Sequence, residues 1–177
     1  MDGIKDNIIV RRERADDFAN IRDVVKSAFS MADYSDGNEH VLVERLRATP
    51  EYIPELSLVA IKDNDIIGYI MMTRLSIGDA EALALAPLAV RPDYQNMGVG
   101  TLLVERAHDI SRIMGYKCSV VLGSPLYYSR FGYLTASRFG IVAPFDVPEE
   151  YYMVCPLDGC MEMPSGVVRY SDAFITC

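Results

Sequence analysis

The stretch LAVRPDYQNMGVGT, residues 88–101, decides the fold of this chain. It begins as the end of a predicted strand, continues as a polar loop with glycines at 98 and 100, and ends in a predicted helix. The first N–H groups of such a helix have no partner inside it, and the helix dipole adds partial positive charge there. Glycines two apart leave no side chain that would hold a ligand away from the backbone. The stretch therefore predicts a binding site for phosphate groups.

The residues before this loop are ambiguous until their proline is considered. Residues 82–90 read ALALAPLAV, and alanine and leucine by themselves favour a helix. Pro87 stands in the middle of the run, where a proline would cost a helix about 3 kcal/mol. We therefore predict a strand with a β-bulge at Pro87.

The other elements follow from apolar periodicity and from turn residues. The helix after the loop is predicted from Gly98 to Met114. The remaining strands are predicted at 8–10, 58–61, 66–72, 117–122, 141–142, 152–154 and 167–170, and the remaining helices at 18–28, 39–48 and 125–130. Asp16 and Asp17 are predicted to cap the first helix, and residues 63–65 to form a three-residue hairpin turn.

This order of elements predicts an α/β (α+β) fold built on one largely antiparallel sheet. The length suits a single domain over residues 1–177. Its core is expected at about residues 8–157, with a C-terminal β extension at about 158–177.

The composition is that of a globular chain, and it excludes several classes of protein. Half of the 177 residues are hydrophobic, and the formal net charge is −8. An acidic chain is poorly suited to nucleic acid, and no stretch is long and apolar enough to span a bilayer. The first residues lack the pattern of a signal peptide, so a cytoplasmic location without membrane partners is expected.

The four cysteines, at positions 118, 155, 160 and 177, do not form a metal-binding pattern with the two histidines. Their spacing includes no Cys-x-x-Cys pair, so neither a metal nor a disulfide framework is expected. Cys118 lies in an apolar run and is predicted to be a core residue rather than a nucleophile.

Two common phosphate-binding loops can be excluded. No Gly-Lys-Ser/Thr follows the glycines, and Leu103 occupies the third glycine position of a dinucleotide fingerprint. Instead, Gln95-Asn96-Met97-Gly98-Val99-Gly100 resembles the Gln/Arg-x-x-Gly-x-Gly/Ala signature of the GNAT superfamily of N-acetyltransferases. Downstream, the segment LYYSRFGY at 126–133 is similar to the family's Leu-Tyr-x-Lys-x-Gly-Phe. Together with the C-terminal segment 166–174, it resembles a YhbS-like branch, and the resemblance covers about residues 8–175.

This resemblance implies a fold, a cofactor and the residues that bind it. The fold would be a GNAT-like mixed sheet with a splayed strand pair and helices on both faces. Acetyl-coenzyme A would be the co-substrate, with no metal. The pantetheine arm would pair with the backbone of the strand, and the diphosphate would bind the amides of the loop. The implied cofactor-binding residues are Leu88, Ala89, Val90, Gln95, Asn96, Met97, Gly98, Val99, Gly100, Thr101 and Ser124.

The resemblance also implies a catalytic residue. Tyr128 aligns with the tyrosine that, in many members, protonates the departing thiolate of coenzyme A. A phenol with a pKa of about 10 is protonated at neutral pH and can donate that proton. Tyr128 could instead simply pack in the core with Phe131, and Tyr127 is interpreted as a structural residue or a wall of the site.

The chain departs from the family pattern at two points. Val121 stands where many members have an asparagine, and residues 83–86 lack the glutamate that serves some members as the general base. Glu39, His40 and Glu44 are alternative bases, although each is also compatible with a solvated helix position. Glu39 and Tyr34 are the candidate substrate-contacting residues, and Met31 and Tyr52 could line the same region.

The predicted function is transfer of an acetyl group from acetyl-coenzyme A to a primary amine, on a small molecule or a peptide, within a ternary complex. A coenzyme A-binding sensor or interaction module without catalysis is the alternative, because the glutamate and the asparagine are missing. A homodimeric interaction protein that has lost the cofactor is the third interpretation.

Overall fold

The computed structural model of the protein describes residues 7–33 and 35–175. Its strands are β1 (Ile9–Arg12), β2 (Tyr52–Lys62), β3 (Asp65–Ile77), β4 (Ala80–Val90), β5 (Cys118–Leu122), β6 (Leu134–Thr135), β7 (Ile141–Val142), β8 (Tyr152–Pro156) and β9 (Gly166–Arg169). Its helices are α1 (Phe18–Phe29), α2 (Glu39–Arg47), α3 (Val99–Ile113) and α4 (Pro125–Tyr128). The predicted order of elements is confirmed.

The sheet is largely antiparallel, as predicted, with one parallel pair near its centre. The main path runs β1-β2-β3-β4-β5-β8-β6, and only the β4–β5 pair on this path is parallel. Strand β9, in the C-terminal segment, pairs with the far end of β3 and, in parallel, with β7. The C-terminal residues therefore extend the sheet beside β3, beyond the point where β2 has ended.

Helices cover both faces of the sheet, as the family resemblance implies. On one face, the apolar stripe of α3, including Leu103, Val104 and Ala107, packs on β2, β3 and β4. On the other face, α1 and α2 bury Val25 and Leu46 against β3. The strands between them are apolar on both sides, because neither face is open to water.

The structure confirms the bulge predicted at Pro87. Leu88 lies opposite Ile70, whereas Leu85 lies opposite Met72, so β4 uses three residues where β3 uses two. A cis peptide bond joins Ala86 to Pro87. A bulge bends its strand and increases the local twist. The bend therefore falls in β4 directly before the loop that decides the fold.

One local prediction is wrong, and a second is confirmed only in part. The hairpin between β2 and β3 turns on two residues, Asp63 and Asn64, whose φ angles are +51° and +69°. Positive φ at both positions matches the twist of a hairpin, which explains the shorter turn. Asp17 is the N-cap residue of α1, as predicted, but its side chain makes no capping hydrogen bond to that helix. Its carboxylate instead binds the Arg11 guanidinium at 2.7 Å and accepts from the Arg14 backbone N–H.

A second ion pair, between Arg47 and Glu13, is buried more deeply than the pair between Arg11 and Asp17. The guanidinium of Arg47, at the end of α2, donates to Glu13 at 2.7 and 3.1 Å. The Tyr52 hydroxyl donates to the same carboxylate at 2.6 Å. The Glu13 side chain is only 2% exposed. This cluster joins three separate segments of the chain on the α1–α2 face.

Cys118 is a fully buried core residue, as predicted, and burial raises the pKa of its thiol to about 11. Among the described residues, no three side chains of His, Cys, Asp or Glu are grouped as metal ligands. In the same part of the chain, no helix is long and apolar enough to cross a membrane.

Candidate active site

The predicted site lies where β4 and β5 separate. The two strands pair only at Leu83–Ser119 and Ala84–Val120. Beyond these positions β4 continues alongside β3 to Val90, whereas β5 continues alongside β8 to Leu122. The strand pair is therefore splayed, and a cleft opens between the second half of β4 and the end of β5.

The edge of β4 that faces this cleft has peptide groups that do not pair with β3. The Arg91 N–H donates to the Ile67 carbonyl, so these two residues form a hydrogen-bonded pair. Hydrogen-bonded and non-hydrogen-bonded pairs alternate along antiparallel strands, so the next pair, Val90 opposite Gly68, is not hydrogen-bonded. By the same alternation, Leu88 and Val90 direct their N–H and C=O groups into the cleft, whereas those of Ala89 face β3. The side-chain amide of Gln95 donates to the Val90 carbonyl at 3.1 Å and ties the loop to the strand.

The loop after β4 ends at a helix terminus without a side-chain cap. Asn96 and Gly98 have φ angles of +60° and +84°. Gly98 is the N-cap of α3, and its conformation explains why glycine stands there. Within the described residues, no hydrogen bond satisfies the N–H groups of residues 98–101. Gln95, Asn96 and Met97 are exposed beside this turn, while Val99 is buried and Thr101 is partly buried.

Gly100 stands at its position for a different reason from Gly98. It lies inside the first turn of α3, with ordinary helical geometry. A Cβ at this position would overlap the hydroxyl of Tyr127 and would also contact Leu88 Cδ2 at 3.8 Å. The side chain of Tyr127 therefore reaches from α4 to the first turn of α3, near the end of β4.

Tyr128 points to a different place from Tyr127, as expected for neighbours on a helical turn. Its ring packs directly against Gly123, where a Cβ would lie only 2.8 Å from Cδ2 of the ring. The rings of Tyr127 and Tyr128 meet edge to face with centroids 5.0 Å apart. Tyr128 is partly buried against the core beneath α3 and contacts Tyr133 and Phe131. Position and packing thus hold this phenol at the β5 side of the cleft.

A buried polar network supports Tyr128 from behind. The Tyr133 ring lies edge to face with Tyr128, at 5.5 Å. The Tyr133 hydroxyl lies 2.6 Å from Ser119 Oγ on β5 and 3.1 Å from His108 Nε2 on α3. Burial lowers the pKa of His108 to about 4, so the imidazole is neutral at physiological pH. The network therefore links α3 and β5 through Tyr133, whose ring packs against Tyr128.

The start of α4 is built around Ser124. Its carbonyl accepts hydrogen bonds from the N–H groups of Tyr127 and Tyr128, each at 3.0 Å. Pro125 follows at the first helical position, where its missing N–H costs nothing. The exposed Ser124 side chain stands at the N-cap, at the β5 end of the cleft.

The residues suggested for the acceptor side are less well defined. Glu39 and His40 occupy the first turn of α2 and are partly buried, and His40 Nδ1 is buried without a described partner. Glu44 forms an ion pair with Arg22 at 3.3 Å. Tyr34 lies outside the described residues. Tyr52 binds Glu13 instead of lining the cleft.

Tyr127 was predicted to be a structural residue or a wall of the site, but the sequence did not show which helix its hydroxyl would reach. Its hydroxyl lies at the first turn of α3, and within the described part of the chain it has no hydrogen-bond partner. The signal was present, because two adjacent tyrosines on one helical turn must point about 100° apart. The second glycine of the loop, Gly100, was also part of the signal, because a glycine inside a helix indicates that another group packs closely against it.

Comparison with known proteins places the chain among acetyltransferases. The family profile described as an acetyltransferase (GNAT) domain matches residues 54–134. The N-acetyltransferase YjhQ of Escherichia coli (strain K12) is 34% identical over 164 residues, which cover 88% of each chain. The N-acetyltransferase YhbS of the same organism is 32% identical over 123 residues, which cover 67% of this chain and 74% of YhbS.

Solved structures agree with this relationship. The crystal structure of Escherichia coli YhbS with coenzyme A superposes with a TM-score of 0.86 at 27% identity, over 96% of this chain and 92% of YhbS. A GNAT family acetyltransferase from Brucella melitensis with acetyl-coenzyme A gives a TM-score of 0.80 at 32% identity, over 95% and 98% of the two chains. These likenesses extend well beyond the loop and the helix that first indicated the family.

Proposed function

The chain belongs to the GNAT family of N-acetyltransferases, and on this premise we propose that it transfers the acetyl group of acetyl-coenzyme A to a primary amine by direct attack in a ternary complex. The observation that carries the proposal is the cleft between β4 and β5, which leads to the uncapped first turn of α3. Two similar proteins, whose structures superpose on 96% and 95% of this chain, were solved with coenzyme A or acetyl-coenzyme A.

The donor would bind along one continuous path. Leu88 and Val90 would hydrogen-bond the pantetheine arm as though it were an added strand, since their peptide groups face the cleft. Ala89 would make no hydrogen bond to the pantetheine arm, because its own peptide groups face β3. It would only hold Leu88 and Val90 in position. The amides of residues 95–101 would bind the diphosphate with the help of the α3 dipole, and Ser124 would border the arm at the β5 side. This path explains how a chain of net charge −8 can bind an anionic cofactor.

The chemistry would need few groups from the protein. The amine nitrogen attacks the thioester carbonyl carbon, and the carbon–sulfur bond breaks as the amide forms. Free N–H groups of β4 would stabilise the developing oxyanion, and the Tyr128 hydroxyl would give its proton to the departing sulfur. The amine must arrive unprotonated or lose a proton on the way. As the amide forms, the attacking nitrogen loses one further proton, which passes through solvent and restores the Tyr128 phenol. Glu39 is proposed to border the amine at the acceptor end.

Release of thiol from acetyl-coenzyme A across a panel of primary amines tests this proposal. The wild-type protein should release thiol with at least one amine, and Tyr128→Phe should lower turnover at least about tenfold with little change in coenzyme A binding. Leu126→Ala is the matched control, since that neighbouring side chain is 91% exposed. Tight binding of coenzyme A without thiol release for any amine would favour the non-catalytic sensor. Unchanged turnover in Tyr128→Phe would remove Tyr128 from the mechanism.

A further inference from the structure

Tyr127 has a polar group that the fold does not use. Its hydroxyl lies against the α-carbon of Gly100 and makes no hydrogen bond to any described residue. The side chain is only partly exposed, and burial raises the pKa of the phenol, which therefore stays protonated and can donate. A partly buried donor without an acceptor loses free energy unless water or a ligand satisfies it. The position of this donor decides which ligand it fits.

The hydroxyl stands beside the same helix turn that the donor's diphosphate would occupy. An α-helix rises 1.5 Å per residue, so the N–H groups of residues 98–101 all lie within one turn of Gly100. An anion that accepts from these amides is therefore a close neighbour of the Tyr127 hydroxyl. Leu88, whose peptide groups face the cleft, also lies beside this point, with Cδ2 at 3.8 Å from the Cβ position of Gly100.

Arg130 adds positive charge at this place. Its guanidinium lies over the Tyr127 ring, 4.7 Å from the centroid, and its Nε donates to the Tyr127 carbonyl at 2.9 Å. The arginine is exposed and forms no ion pair with a described carboxylate. Because this cation lies beside the phenol, it adds electrostatic attraction for an anion bound at the same place.

We propose that Tyr127 is a donor-binding residue, whose hydroxyl gives a hydrogen bond to the diphosphate of coenzyme A while Tyr128 serves the sulfur. The proposal rests on the proposed function, because it assumes that coenzyme A occupies the cleft. It divides the work of the paired tyrosines: the first binds the phosphate end of the donor, and the second acts on the thioester end. It also gives the second glycine of the loop a reason, since only glycine leaves room for this hydroxyl.

Calorimetric titration with coenzyme A tests this division. Tyr127→Phe keeps the ring and its contacts with Arg130 but lacks the donor, so its Kd should rise about tenfold or more, as expected for one hydrogen bond to a charged acceptor. Turnover at saturating acetyl-coenzyme A should change little in this variant. Leu126→Ala on the same helix is the control and should bind as the wild type does. An unchanged Kd in Tyr127→Phe would overturn the proposal.

A crystal structure of the coenzyme A complex supplies the second readout. Tyr127 Oη should lie within hydrogen-bonding distance, about 3 Å, of a diphosphate oxygen. A diphosphate bound at residues 98–101 with the hydroxyl turned away would overturn the proposal and leave the proposed function intact. Failure of the wild-type protein to bind coenzyme A at all would instead refute the proposed function itself.

Discussion

The ring of Tyr128 lies directly against the α-carbon of Gly123, so that a single added methyl group would meet Cδ2 of the ring at 2.8 Å. On its other sides the ring touches Tyr133, Phe131 and Tyr127, which leaves it little room to move. Gly123 thus sets the position of the phenol that the proposed mechanism uses.

Gly123→Ala should therefore lower turnover without weakening the binding of coenzyme A. The added methyl displaces the Tyr128 ring, and displacement of an acid by about 1 Å costs an enzyme tenfold or more in rate. Steady-state kinetics and calorimetry on the same preparation would separate the two effects. Equal loss of binding and turnover would mean that Gly123 serves the donor site rather than Tyr128.

Gly100 and Tyr127 should behave as a coupled pair. Gly100→Ala places a methyl where the phenol hydroxyl lies, so it should weaken coenzyme A binding about as much as Tyr127→Phe does. In the double variant the hydroxyl is gone, and the nearest ring atom, Cζ, lies at an ordinary 3.6 Å. The second substitution should then cost no further affinity, and alanine should stabilise α3 by up to about 1 kcal/mol.

The coupling is measured by a double-mutant cycle, which needs the Kd values for coenzyme A of the wild type, both single variants and the double variant. Additive losses would show that the methyl blocks the donor directly, without involving Tyr127. The family signature allows alanine at this position, and the coupling would explain why this chain has glycine.

His108 should make the protein less stable in acid. Its pKa is lowered to about 4 by burial, so the unfolded state binds a proton below pH 6.5 that the native state does not bind until about pH 4. Stability is therefore lost as the pH falls from about 6.5 to about 4. Between pH 7.5 and pH 5 this single group should cost about 2 kcal/mol.

Urea denaturation at both pH values measures that loss. His108→Gln has a polar group that can reach the Tyr133 hydroxyl but does not titrate, so its loss between the two pH values should be smaller by about 2 kcal/mol. The same dependence on pH in both proteins would contradict a neutral, buried His108.

Replacing only one partner of the ion pair between Glu13 and Arg47 should lower the free energy of unfolding strongly. Their side chains are 2% and 11% exposed, so Glu13→Ala leaves a buried guanidinium without its carboxylate and should destabilise by about 3 kcal/mol or more. Glu13→Ala/Arg47→Met removes both charges and should cost less than the single change. Thermal or chemical unfolding of the wild type, Glu13→Ala, Arg47→Met and the double variant measures this difference. A double variant that loses the sum of both single effects would argue against the pairing.

Local chemistry in the sequence was enough to predict much of this fold. Pro87 excluded a helix over residues 82–90 and placed the bulge, and the stripe of α3 fixed the helix that follows. Both signals lie within a few residues of the structure they determine, so they can be recognised without knowledge of distant contacts. The site loop belongs to the same class, because Gly98 is required by its own φ of +84°.

The features that could not be predicted depend on distant partners. Glu13 and Arg47 are 34 residues apart, and nothing in either segment indicates that they meet. The pairing of β9 with β3 joins residues that are about 90 positions apart along the chain. Gly100 was interpreted from its neighbours in sequence, whereas the group it accommodates comes from Tyr127 on another helix.

The proposed function depends above all on the free amides at the first turn of α3, which would bind the diphosphate of the donor. An amide NMR titration of the labelled protein with coenzyme A tests it directly. The N–H signals of Gly98, Val99, Gly100 and Thr101 should shift most and saturate with one equivalent of ligand. Saturating binding that leaves these four signals unmoved, with the shifts concentrated elsewhere in the fold, would contradict it.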